Sequence, residues 1–361
     1  MYRRNADNER IKLRYFEFLK QADGKSEQTV RQIEKAISRF EEFTGNADFK
    51  AFGQKQATGF KAGLGKSDLA PATVLSTVNS LKRFLGWLAT QPGYRSRVRI
   101  GDIEYLNLSE KDVRAASAPA DKKYPTLEMI EHVVARMPSD APLHRRDRAL
   151  ITFTAITGIR DGALVSLKLK HFDPIRKLVM QNPNEVNTKF SKRIDTFLFP
   201  LNEQFEAIVL NWVEYLRTEH LFADHDLLFP KTEVGQDENN CFTPVGLSRE
   251  HWSSAGPVRN IFKDSFMAAG LPAFTPHRFR DMIVSEMYRR QLSVAECKAW
   301  SQNLGHEGAM TTLTSYGKIA LEEQGRLVRK QSTREEVSSA SDIKQAIRML
   351  QNVGLLSGSK L

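Results

Sequence analysis

Cysteine is nearly absent from this chain of 361 residues: only Cys241 and Cys297 occur, in neither a metal-ligand spacing nor a disulfide framework. That scarcity predicts a reduced, cytoplasmic protein in which both thiols are ordinary packing residues. Long apolar runs are missing too. No stretch approaches the ~18 residues of a membrane span, and the polar beginning MYRRNADNER lacks the apolar region of a signal peptide. A soluble chain with no membrane partner is expected. The eight histidines are scattered, without an HExxH or CxxC companion, so no metal or other cofactor is expected. Internal repeats and low-complexity tracts are likewise absent.

Positive charge, by contrast, is in excess. Lys and Arg number 53 against 43 Asp and Glu, a formal charge of +10. The balance favours an anionic partner, nucleic acid first, although the same excess can serve as solubilising surface. The length accommodates two domains, each with its own core.

Behind Ser26, the spacing of Val30, Ile33, Ile37 and Phe40 predicts an amphipathic helix that stops at Gly45. After Pro71, Val74, Val78, Leu81, Leu85 and Leu88 predict another, with Lys82 and Arg83 off the apolar stripe. Residues 1–92 thus read as a small helical bundle with basic outer faces. Residues 93–124 (GYRSRVRIGD, then RAASAPADKKYP) show little periodicity and read as a loop-like linker. From Pro125 the pattern is mixed. Helices are expected over 127–137, 145–157, 203–219, 258–269, 278–290 and 294–302, and short strands over 177–180 and 194–199 around NPNEVNTKFSKR. The run 235–240 reads as an exposed loop. A tail over 336–361 recovers a helical stripe at Ile343, Ala346, Ile347, Leu350 and Val353, able to dock on its own domain or on a neighbouring protomer.

Three local patterns carry chemistry: TGIRDGALVSLKLKHFD with Arg160, TPHRFRDMI with His277 and Arg280, and LGHEGAMTTLTSYGK with His306 and Tyr316. Guanidinium forks can neutralise the non-bridging oxygens of a phosphodiester at its transition state. A tyrosine hydroxyl can attack phosphorus and keep the bond energy as a phosphotyrosyl ester. Histidine can donate or accept protons near neutral pH. With cationic side chains handling the charge, no metal is required.

In order and separation, TGIR, HxxR and LGH…Y resemble the tyrosine recombinase (phage integrase) superfamily across about residues 125–329. The resemblance implies an all-α N-terminal core-binding (SAM-like) helical bundle over 1–92 and a linker over 93–124. Next would come a mixed α/β, mainly helical, integrase-type catalytic domain with a small antiparallel sheet over 125–335, then the tail. It also implies two domains closing around double-stranded DNA as a C shape. Matched position by position, Arg160 and Arg280 would bind the scissile phosphate, with His277 as the HxxR histidine and His306 hydrogen-bonding the phosphate. Tyr316 would be the nucleophile. A hairpin lysine, Lys189 with Lys192 second, would be the general acid for the departing 5′-oxygen. Partners implied are duplex DNA, a homo-oligomer, in the family a tetramer on two sites, and accessory DNA-bending or directionality proteins. The alternatives are a type IB topoisomerase-like enzyme and a non-catalytic DNA-binding regulator. The chain departs from the family pattern at Ala163, where an acid is common, at Asp281, where histidine is common, and in the interval from His306 to Tyr316.

Overall fold

In the computed structural model, residues 4–118, 123–188, 192–290 and 292–306 are described. The chain divides into two units, Met1–Ala120 and Asp121–Leu361. Tyr316, Lys189 and the expected tail helix lie outside the described residues.

The first unit is helical: α1 (Ala6–Gln21), α2 (Glu27–Thr44), α3 (Gln54–Gly65), α4 (Pro71–Leu88), α5 (Ile100–Ile103) and α6 (Glu110–Ser117). Ser26 caps α2 by accepting from the Thr29 N–H, and Gly45, at φ +64°, ends it in the left-handed conformation that glycine adopts without a Cβ penalty. The apolar stripe of α2 (Val30, Ile33, Ile37, Phe40) meets that of α4 (Val78, Leu81, Leu85, Leu88) in one core. Ion pairing is buried here as well. Lys12 Nζ donates to Glu41 Oε2 at 2.6 Å and to Glu9 Oε1 at 2.8 Å. The stretch 93–124 differs from its expectation as a linker. It contains α5 and α6, and Tyr94, Val98, Ile103 and Leu106 belong to the first unit's core. Its apolar residues are too few for a periodic signal, yet each spacing of three or four puts a pair on one side of a helical turn.

The second unit sets helices around a small sheet: α7 (Leu127–Arg136), α8 (Pro142–Thr157), α9 (Asp161–Leu164), α10 (Glu203–Thr218), α11 (Gly256–Ala268), α12 (Arg278–Arg289) and α13 (Val294–Asn303). Strands β1 (Phe172–Asp173), β2 (Leu178–Gln181) and β3 (Ile194–Phe197) form an antiparallel sheet in that order, with Val179 opposite Thr196. Helix α8 is buried along most of its length, with Ala149, Leu150, Phe153 and Ile156 inside the core.

The expected exposed loop is the turn of a second hairpin: β4 (Lys231–Gln236) pairs with β5 (Phe242–Ser248), residues 237–240 lie exposed in the turn, and 235 and 236 are drawn onto β4. Arg146 fastens its base, donating to Thr232 Oγ1 at 2.9 Å and to Pro230 O at 3.2 Å. The polar, glycine-containing sequence hid these strands because Phe242, Val234 and Val245 are exposed, leaving no buried face to impose alternation. Among the described residues, no helix is long and apolar enough to cross a membrane.

Candidate active site

The site is assembled at three chain reversals. Helix α8 ends at Gly158, whose φ of +62° turns the chain so that Ile159 goes inward and Arg160 caps the next helix, α9. An added Cβ at Gly158 would come within 2.7 Å of Leu304 Cδ2 and 2.9 Å of Ile283 Cδ1. The position therefore demands glycine for packing as well as for backbone. Helix α13 ends in the same way, at Gly305 with φ +70°, where a Cβ would come within 2.9 Å of Ile194 on β3. Helix α12 begins immediately after His277.

Arg280 joins these reversals. Its side chain is 2% exposed, so its donors must be met inside the protein. Nη1 donates to Gly158 O at 2.6 Å, and Nη2 donates to Leu304 O at 2.6 Å and to His306 Nε2 at 2.7 Å. The Thr-Gly-Ile-Arg turn, the His-x-x-Arg helix and the Leu-Gly-His turn are thus physically tied through one guanidinium. Because a guanidinium can only donate, His306 Nε2 must accept, which requires a neutral ring. Burial, then the charges of Arg280 and Arg160, pull the His306 pKa down to about 3.

His277 stands in the same field. Solvent reaches its surface, but the protein around it and the charges of Arg280, Arg278 and Arg160 lower its pKa to about 4, with Asp161 acting in the opposite sense. Both imidazoles are neutral at pH 7. Arg160 is half-buried, and among the described residues its guanidinium has no hydrogen-bond or ion-pair partner. Thr157, Gly158, Arg160, Gln181, Thr196 and Arg280 line a small polar recess. Arg160, His277, Arg280 and His306, which are far apart in sequence, therefore converge on one place that is cationic, hydrogen-bonding and able to accept protons. Such a place suits a phosphodiester. Lys192 is half-buried and precedes β3 by two positions.

Other residues hold this arrangement. Asn303, at the end of α13, pairs with the β3 backbone, Oδ1 accepting from Phe197 N–H at 2.7 Å and Nδ2 donating to Phe197 O at 2.9 Å. Thr196 Oγ1 adds a bond to Asn303 O at 3.0 Å. Asp161 accepts from Arg259 Nε of α11 at 2.6 Å, and Asn187 N–H reaches Ser166 Oγ at 2.9 Å. No local pattern distinguishes Asn303 or Arg259 from ordinary polar helix positions, because each gains its role from a partner about a hundred residues away.

Residues 126–323 match the model of the phage integrase family. No curated protein sequence matches the chain. Among solved structures, the chain is similar to a fragment of lambda integrase, a dimer bound to a COC′ core site, at 16% identity and a TM-score of 0.56, covering 87% of this chain and 99% of that one. It is also similar to the Tn1549 transposon integrase in complex with a circular intermediate DNA, at 12% identity and a TM-score of 0.55, covering 89% and 99%. At these identities the likeness is one of fold: mainly helical, with small antiparallel sheets.

Proposed function

The chain belongs to the phage integrase family, and on that footing we propose that it is a site-specific DNA recombinase that cuts and rejoins duplex DNA through a 3′-phosphotyrosyl intermediate. The Tyr316 oxygen would attack the scissile phosphorus as the bond from phosphorus to the 5′-oxygen breaks. The tyrosine proton would pass to a neutral histidine, His277 being the solvent-exposed one of the two. The departing 5′-oxygen would take a proton from Lys189, or from Lys192 in second place. Attack by a partner strand's 5′-hydroxyl on the phosphotyrosine then reverses the step, so the bond energy is conserved and no high-energy cofactor enters.

Arg160 and Arg280 would offset the charge that develops on the non-bridging oxygens, and His306 would hydrogen-bond the same phosphate. The observation that carries this reading is the uncommitted Arg160 guanidinium beside two imidazoles held neutral by neighbouring cations. An arriving phosphodiester relieves that like-charge crowding, which moves both histidines upward toward the range where proton transfer is efficient.

Double-stranded DNA would be the substrate, a reading supported by the similar lambda integrase bound to a COC′ core site and the Tn1549 integrase in complex with a circular intermediate DNA. Exchange between two sites would engage four protomers, with accessory DNA-bending proteins able to set direction. The test uses a nicked suicide duplex carrying a core sequence selected by the protein from a random pool. Wild type should form a covalent adduct in EDTA. Tyr316→Phe should bind equally and form none, whereas an adduct from the phenylalanine variant would remove Tyr316 from the chemistry.

A further inference from the structure

An acid sits among the cations of the site. Asp161 follows Arg160 directly, and its charge is felt at His277, where it opposes the effect of the three arginines. A free carboxylate here would be harmful in two ways: it could occupy the Arg160 fork, and it would repel an incoming phosphodiester. Neither carboxylate oxygen is free. Oδ1 accepts from the Gly162 N–H at 2.9 Å, within the first turn of α9, and Oδ2 accepts from Arg259 Nε at 2.6 Å. Arg259 reaches this acid from α11, 98 positions along the chain.

From this geometry, and resting on the strand-transfer reading above, we infer that Arg259 is a positioning residue. It withholds Asp161 from Arg160 and offsets the acidic charge that, among the described residues, acts on His277, leaving the Arg160 guanidinium without a partner among those residues. Position 163, one turn on from Arg160, holds a buried alanine. The acid that influences the site is therefore the neighbouring one at 161, and it comes with its own counter-ion.

The inference sets the sign of a double substitution. Arg259→Ala should slow covalent adduct formation on the selected suicide duplex on the order of tenfold, the scale of one uncompensated charge near a phosphate at effective protein permittivity. Asp161→Asn keeps the oxygen that Gly162 uses, so it should be mild alone. Combined with Arg259→Ala, it should return the rate to within about twofold of wild type. A duplex with a neutral methylphosphonate at the scissile position should erase the Arg259→Ala defect, since no phosphate charge is left to repel.

A merely structural brace would leave single and double variants equally slow on both duplexes, and so would an Arg259 that grips DNA itself in the double variant; either result overturns the inference. An Arg259→Ala rate equal to wild type also overturns it while leaving the strand-transfer reading intact. Wild type that binds DNA but forms no adduct would defeat that reading instead. Should Arg259→Ala lose its melting transition, Arg259→Gln carries the same comparison with side-chain volume retained.

Discussion

Arg280 and Arg160 are the same residue type with opposite commitments, and substitution should separate them. Arg280 is buried and bridges Gly158 O, Leu304 O and His306. Arg280→Ala would leave those acceptors stranded, so we expect a loss of about 3 kcal/mol in urea unfolding together with loss of cleavage. Arg160→Ala removes a side chain that, among the described residues, has no hydrogen-bond or ion-pair partner, and should leave the unfolding midpoint in place while slowing cleavage by roughly 10²–10³. The histidines make stability depend on pH. Their folded pKa values, about 4 for His277 and about 3 for His306, lie below the ordinary 6.5. The unfolded chain therefore binds protons first as pH falls. The stability contributed by the neutral rings is complete above about pH 6.5 and is lost progressively as pH drops through 4 toward 3. Melting temperatures between pH 7 and 4 should fall, and His277→Asn should flatten part of that slope. An unchanged slope would mean that His277 does not titrate differently on folding.

Among the elements, most helices with a buried stripe were readable in advance, although α1, which buries Ile11, Tyr15 and Leu19, drew no separate expectation. Helices α2, α4, α7, α10, α11 and α12 each pack a periodic apolar face, and their expected limits differ from the observed ones by only a few residues. Strands β2 and β3 were legible from their apolar and β-branched runs, whereas the two-residue β1 and the hairpin strands β4 and β5, with Val234, Phe242 and Val245 exposed, carried no comparable signal. Helices α5 and α6 were hidden by their shortness. The strand–helix junction at Asn303 was also invisible, since an asparagine that imitates a strand residue looks like any other helix-end asparagine. Asn303→Ala should cost about 1 kcal/mol, because the freed Phe197 groups sit at an exposed residue where water can replace the lost bonds. Cleavage should suffer more than stability, since the same junction positions His306 three residues on. Urea unfolding set beside single-turnover cleavage measures both, and equal losses would assign Asn303 to stability alone.

For the whole molecule, charge is the most general property and the easiest to test. With a net charge of +10, DNA affinity should fall steeply with salt, log K declining against log[salt] by about 0.9 for each phosphate neutralised. A flat response in a filter-binding titration would make the excess a solubilising surface. The candidate site residues could be named because their types and order survive in a linear string, but what surrounds them could not, since Arg280 and Arg259 bond to partners supplied by distant turns. The long reach of Arg280 also has a bearing on timing. Its bonds to Gly158 and Leu304 close sequence separations of 122 and 24 residues, contacts that form slowly and only once both ends of the segment exist. A ribosome-bound chain that has not yet released Leu304 cannot complete the guanidinium bridge.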